Sequence, residues 1–203
     1  MEKKIDSVVV GNILTNCWLY VLDEAAGSDG RQPCAVIDPG DEAGAIVSRL
    51  RELNWSPRYI LLTHGHFDHV TGLPGLLEAC GKGECGEGPL PKVGIHRQDA
   101  LWCQLPPPVT LFEEGDAVGP FKVLHVPGHT PGSICFYDEK AGYLFSGDTL
   151  FEGDHGRTDL PGGDMNQMRQ SLKRLLALAP ETIVCPGHDV TTTIKDEAHQ
   201  LPC

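Results

Sequence analysis

This sequence of 203 residues points to an α/β fold in which sheets are sandwiched between outer helices. Three observations carry that reading. Short apolar runs of strand length, bounded by turn residues, recur along the chain. Segments with helical spacing follow strand runs in both halves. The 24 glycines and 16 prolines are scattered at turn positions and form no low-complexity tract. With 40% hydrophobic residues the chain can bury one core, so a single domain over 1–203 is expected.

The elements follow in order. Residues 5–10, 17–22, 34–38 and 58–62 read as strands, with Ala25–Gln32 as a polar loop between the second and third. Asp41–Leu53 reads as a helix: Ala45, Ile46, Leu50 and Leu53 have helical spacing after the turn and N-cap signal Asp38-Pro39-Gly40-Asp41. The strand Arg58–Leu62 runs into Thr63-His64-Gly65-His66-Phe67-Asp68-His69, and a short helix is expected at Leu73–Cys80. Residues 92–95, 109–112, 116–118, 121–126, 133–138, 143–146 and 182–185 read as strands, and Gln98–Cys103 as a short helix. Met165–Leu178 reads as an amphipathic helix with Met168, Leu172, Leu175 and Leu176 on one face.

The formal charge of −12 and the lack of a Lys/Arg patch argue against a nucleic-acid partner. No apolar leader region and no run of 18 apolar residues is seen, so a cytoplasmic protein with no membrane partner is expected. For that compartment the eight cysteines are expected as reduced thiols. Cys80 and Cys85 lie in a Gly-rich stretch that reads as a flexible surface insertion; the sharper alternative is a redox pair or metal clip, although their spacing fits no common zinc pair.

Three of the nine histidines fall within six residues, at the end of an apolar strand. His64 and His66 are two apart, so in extended chain both rings project to one side, which makes half a zinc site. Asp68 and His69 point elsewhere, where the chain turns toward the next helix, and suit a second ion nearby. Burying several imidazoles and a carboxylate without a metal would be costly. Further ligands are expected at other strand ends. His129 in Val126-Pro127-Gly128-His129-Thr130-Pro131-Gly132, Asp148 in Ser146-Gly147-Asp148-Thr149 and His188 in Pro186-Gly187-His188-Asp189 each interrupt a strand-to-loop junction beside a glycine.

In order and spacing, His64–His69, His129, Asp148 and His188 resemble the five-motif pattern of the metallo-β-lactamase superfamily, with Asp38 in Ala35-Val36-Ile37-Asp38-Pro39-Gly40 as its supporting motif. The resemblance runs from Gly11-Asn12-Ile13-Leu14 to the end of the chain. It implies an αββα sandwich of two mixed sheets with outer helices, and two divalent ions at one edge of the sheets. The first ion would be held by His64, His66 and His129, the second by Asp68, His69 and His188, with Asp148 bridging. Zinc is expected, with iron or manganese admissible at His/Asp sites. Asp68 is also the candidate for orienting the attacking hydroxide.

Two such ions, about 3.5–4 Å apart, generate hydroxide near neutral pH and polarise a substrate oxygen, so hydrolysis is expected. The segment Ser146–Phe151 with Gly156-Arg157-Thr158-Asp159-Leu160 is most similar to the glyoxalase II group, which implies a small-molecule thioester substrate such as S-lactoylglutathione. Larger members carry a C-terminal helical domain that helps bind glutathione, whereas only 189–203 follow His188 here, so broad or weak preference for the glutathione moiety is expected. Docking then falls to the loops: the Gly-rich 81–91, Leu105-Pro106-Pro107-Pro108 and the loop around Arg157. Arg157 would hold a substrate carboxylate or pair with Asp159; His155 would border the site. His96 and His125 read as structural and His199 as surface. Two other functions use the same fold. Persulfide dioxygenases bind one iron by two His and one Asp, which here would be His64, His129 and Asp148. Flavodiiron proteins are non-hydrolytic, but they have Glu where this chain has His66.

Overall fold

In the computed structural model, which describes residues 4–103, 105 and 108–200, the apolar runs become the strands of two sheets. The chain clusters into two compact units. One comprises the chain up to Leu62 together with 66–94 and 105–110; the other comprises 63–65, 95–104 and the chain from Leu111 onward.

The first sheet has the order β1 (Ile5–Val10), β2 (Thr15–Val21), β3 (Gln32–Ile37), β4 (Trp55–Leu61), β5 (Lys92–His96) and β6 (Val109–Phe112). Its first three strands pair antiparallel, whereas β3–β4 and β4–β5 are parallel, each of the latter joined through helical connections. Those connections hold α1 (Ala43–Leu53), the single turn α2 (Phe67–Val70) and α3 (Leu73–Gly81). Helix α1 buries Ile46, Val47 and Leu50 and packs on α3 and β4. Ala45, expected on that face, is exposed.

The second sheet has the order β12 (Thr192–Thr193), β11 (Ile183–Pro186), β10 (Tyr143–Gly147), β9 (Ile134–Asp138), β8 (Phe121–His125) and β7 (Ala117–Val118). Only β10–β11 is parallel among its pairs, and its crossover contains α5 (Met165–Leu175). Side chains alternate across the sheet. Leu124, Cys135, Tyr137, Leu144 and Val184 pack with Met168, Leu172 and Leu175 of α5, whose spacing puts them on one helical stripe. From the other face Phe121, Phe136 and Phe145 meet edge to face, at centroid distances of 6.2 and 5.7 Å. Burial on both faces explains why these strands read as continuous apolar runs. Asp164 caps α5 by accepting from the amides of Asn166 and Gln167.

Several boundaries differ from the sequence reading. Strand β2 begins at Thr15 because Thr15 and Asn16, though polar, are buried and paired with β1. Strand β3 stops at Ile37 because Asp38 turns to φ 53. Helix α1 starts after Glu42, in a left-handed conformation with no side-chain cap, and the Asp41 carboxylate accepts the Glu42 amide instead of capping the helix. Helix α5 ends at Leu175, and α4 occupies Arg97–Ala100 instead of 98–103. Strand β12 and helix α6 (Ile194–Gln200) carry too few apolar residues to announce themselves. Helix α6 is fixed by Glu197, buried, which accepts from the Thr192 hydroxyl at 2.6 Å and the Gly153 amide at 2.8 Å. Residues 106 and 107 of the Pro-rich loop lie outside the described residues.

Leu172 is 3% exposed in the α5 stripe. Leu172→Ala should destabilise the protein by about 2–5 kcal/mol in urea unfolding, whereas exposed Arg169→Ala should stay within about 0.5 kcal/mol. Equal effects would show that the stripe does not hold α5 to its sheet.

Candidate metal centre

In the first unit, Asp68 and His69 stand on α2, directly after His66, the residue that caps that turn. Both sides of the His69 ring face carboxylates. Its Nδ1 lies 3.0 Å from Asp38 Oδ2, both residues being buried, and its Nε2 lies 3.3 Å from Asp68 Oδ2. The Nδ1–H donates to the Asp38 carboxylate, which leaves Nε2 as the unprotonated nitrogen of the neutral ring; its lone pair suits a cation placed between it and Asp68 and not a direct bond to that carboxylate. Asp38 reaches His69 because its left-handed backbone turns the chain at the end of β3. The Thr15 hydroxyl donates to Asp68 at 3.2 Å. Gly40 allows this approach: a Cβ there would lie 1.7 Å from the Asp68 carbonyl oxygen.

In the second unit, His64, His129, Asp148 and His188 converge from four strand ends. The rings of His64 and His129 meet edge to face at 4.8 Å. His129 Nε2 and His188 Nε2 lie 3.5 and 3.6 Å from the same Asp148 Oδ2. His129 Nδ1 donates to the Arg157 carbonyl at 2.8 Å, which makes Nε2 the unprotonated nitrogen of the neutral ring. The Thr63 hydroxyl pairs with His64 Nδ1 at 3.1 Å. Glycines again make room. A Cβ on Gly147 would lie 2.3 Å from Thr63 Oγ1, and one on Gly156 would lie 1.8 Å from the Asp148 carbonyl oxygen.

A residue that the sequence reading missed ties the second unit's ligand loops together. Asp99, on α4 and fully buried, accepts from the Gly65 amide at 2.8 Å, the Thr130 hydroxyl at 2.7 Å and the Gly132 amide at 2.7 Å. Gly65 separates His64 from His66, and Thr130 follows His129. No sequence signal marks Asp99, because an acidic residue in a short helical stretch ordinarily faces solvent.

The donor set fits divalent metal. Imidazole nitrogens and carboxylate oxygens at 3.3–3.6 Å are too far apart for good hydrogen bonds to one another. Two ligands at about 2.1 Å from a tetrahedral ion lie about 3.4 Å apart, which is this spacing. Other residues have other work. Arg157 is exposed, and its guanidinium makes two 2.7 Å bonds to Asp159; it serves His129 through its main chain. His155 Nδ1 is turned to the Gly156 carbonyl at 2.9 Å. His96 and His125 stack at 4.2 Å, and burial, then the charge of His125, pushes the His96 imidazole below its usual range. His199 is exposed on α6.

The family model described as the metallo-beta-lactamase superfamily matches residues 10–188. The chain belongs to this superfamily. Hydroxyacylglutathione hydrolase GloC of Haemophilus influenzae is 35% identical over 215 residues, covering 98% of this chain and 96% of that protein. The crystal structure of TTHA1623 in a di-iron-bound form is 38% identical, with a TM-score of 0.82 and coverage of 97% of this chain and 98% of that one. ETHE1 from Myxococcus xanthus is 26% identical, with a TM-score of 0.77 and coverage of 97% and 82%. The metallo-β-lactamase fold of two mixed sheets with helices is therefore the fold of this chain, and its His/Asp cluster is of the kind that binds divalent metal.

Removing Asp99 leaves two buried amides and a hydroxyl without their acceptor. Asp99→Ala should weaken metal binding roughly 10–100-fold in a chelator competition, and Asp38→Ala should act likewise through His69. Unchanged metal affinity in a folded Asp99→Ala protein would show that the carboxylate stabilises the loops without positioning the ligands.

Proposed function

We propose that this protein is a cytoplasmic dinuclear-metal hydrolase that cleaves small thioesters such as S-lactoylglutathione. The observation that carries the reading is the donor geometry: two imidazole Nε2 atoms flank one oxygen of Asp148 at 3.5 and 3.6 Å, while Asp68 and His69 form a second set oriented by Asp38. In this reading one ion takes His64, His66 and His129, the other takes Asp68, His69 and His188, and Asp148 is shared. Zinc suits the donors, and iron or manganese is admissible.

When bound, the ion pair would supply an acidified water and a positive charge against the thioester carbonyl oxygen. The chain's own residues do the rest. His129 and His69 are each held in one tautomer, by the Arg157 carbonyl and by Asp38, so they need no reorganisation during turnover. Asp68, kept in place by the Thr15 hydroxyl, orients the attacking water by accepting its hydrogen bond. Water adds to the acyl carbon, the carbon–sulfur bond breaks, and the products are a carboxylic acid and a thiol. No Ser or Cys nucleophile is required.

The likeness to a hydroxyacylglutathione hydrolase over nearly the whole of both chains supports the thioester class. Remote recognition falls to loops such as 155–159. A substrate carboxylate that binds Arg157 must compete with Asp159, which keeps the preference for glutathione weak. A second reading, a mono-iron persulfide dioxygenase, is favoured by one observation: His64, His129 and Asp148 already sit together within one unit.

Elemental analysis decides between them. Close to two divalent ions per chain and turnover of S-lactoylglutathione and a simpler lactoyl thioester are expected. One iron per chain, with oxygen consumed in the presence of glutathione persulfide, would establish the dioxygenase instead. Robust β-lactam or phosphodiester cleavage without thioester turnover would remove both. Within the hydrolase reading, Asp148→Ala should lower kcat/KM by more than about 100-fold, beyond the range for residues that only orient ligands. His155→Ala should raise KM with kcat unchanged. Equal losses in the two variants would place the 155–159 loop in the chemistry itself.

A further inference from the structure

The Gly-rich stretch after α3 is a closed motif instead of a loose insertion. The Ala79 carbonyl accepts the Glu84 amide at 2.9 Å and the Cys80 carbonyl accepts the Gly83 amide at 3.0 Å. With Gly83 at φ 75, this is the bond pair of a Schellman turn, with Gly83 at the position that requires a left-handed residue. Such a turn carries the chain back along the last turn of the helix, and Cys85 arrives beside Cys80, the two thiols sharing a hydrogen bond. The turn is anchored on both sides. Arg51 donates to the Glu84 carbonyl and carboxylate, each at 2.9 Å, and the Asp29 carboxylate accepts the Glu87 amide at 3.0 Å. Gly86, at φ 114, closes against Ser56 and Asp29, where a Cβ would lie 2.9 Å from each.

The two sulfurs differ in access. Cys80 is half-buried on the outside of the pair, and Cys85, 2% exposed, lies behind it. They also differ electrostatically. The hydrogen bond from Cys80 holds the Cys85 thiol below the usual thiol range, and the Arg51 and Arg31 guanidinium groups add to this against the effect of burial. The same hydrogen bond and burial push the Cys80 thiol up. Cys34, fully buried nearby, is pushed up by burial and is inert. Among the described residues no cysteine joins a group of three donors able to share an ion, so the pair is a dithiol and not a metal clip.

We propose that Cys80 and Cys85 form a reversible dithiol–disulfide site that reacts with low-molecular-weight disulfides, Cys80 as the entry thiol and Cys85 as the resolving one. Cys80 Sγ passes its proton to Cys85 Sγ across their shared hydrogen bond and, as thiolate, attacks one sulfur of RS–SR; the S–S bond breaks, and the leaving RS⁻ takes that proton from Cys85. Cys85 Sγ, as thiolate, then attacks Cys80 Sγ and expels the second RS⁻, which leaves as thiol once protonated. Two protein thiols are oxidised to one disulfide, and one small disulfide is reduced to two thiols. The site is independent of the metal centre and of the reaction assigned to it.

The test uses the intact protein and glutathione disulfide. After alkylation of remaining thiols, tryptic digestion without reductant cuts at Lys82, between the two cysteines, so a Cys80–Cys85 bond holds peptides 59–82 and 83–92 together. The linked pair should accumulate and disappear on adding dithiothreitol, while Cys103 remains alkylated. Cys85→Ser should instead retain one glutathionyl group on Cys80, and Cys80→Ser should leave Cys85 unmodified. A stable glutathionyl group on wild-type Cys80 without cross-linking would overturn the proposal. So would modification of Cys85 in Cys80→Ser at the wild-type rate.

Discussion

A carboxylate sealed from solvent must be surrounded by donors or it destabilises the fold by several kcal/mol, and Asp99 meets that condition with the amides of Gly65 and Gly132 and the hydroxyl of Thr130. Those three groups are not arbitrary neighbours. One lies between His64 and His66, and the other two follow His129. Satisfying one buried carboxylate therefore sets the path of two loops that carry candidate ligands. Asp38 plays the corresponding part in the first unit, where its left-handed backbone and its bond to His69 leave that ring a single orientation. The orientation of these candidate ligands is thus set by hydrogen bonds made within the chain itself.

The same economy of space governs the backbone. Gly40, Gly147 and Gly156 stand where a methyl group would collide with the main chain of Asp68, the Thr63 side chain and the main chain of Asp148 respectively. In each case the element carrying a ligand is drawn against its neighbour more closely than any side chain would permit. The glycines beside the motifs thus act through proximity: Gly147, at φ 50, also has the required backbone conformation, whereas Gly40 and Gly156 are needed for space alone.

Much of this was legible in the sequence, for stated reasons. The apolar runs gave the strands of the second sheet because both faces of that sheet are buried, and the stripe Met168, Leu172, Leu175 gave α5 because its face is single and periodic. The clustered His64–His69 run and the glycine-flanked His129, Asp148 and His188 stood out because polar, metal-ligating residue types at strand ends interrupt apolar sequence. What stayed hidden was polar and long-range. The start of β2 at Thr15 and Asn16 escaped a reading based on apolarity, as did β12 and α6, whose order comes from hydrogen bonds. Asp99 was invisible because its partners lie 31 to 34 residues away. Arg157 was noticed for its guanidinium, whereas the atom that meets His129 is its carbonyl oxygen, which every residue type possesses.

Glu197 of α6 holds the amide of Gly153, three residues before the loop glycine Gly156 that packs on Asp148 and four before the Arg157 carbonyl that sets the His129 tautomer. A helix without any ligand of its own is therefore mechanically in series with an imidazole. Loss of the Glu197 carboxylate removes the far anchor of the loop whose Arg157 carbonyl orients the His129 ring. Within the proposed metal centre, sequence drift in this helix would then register at the metal as well as in the fold.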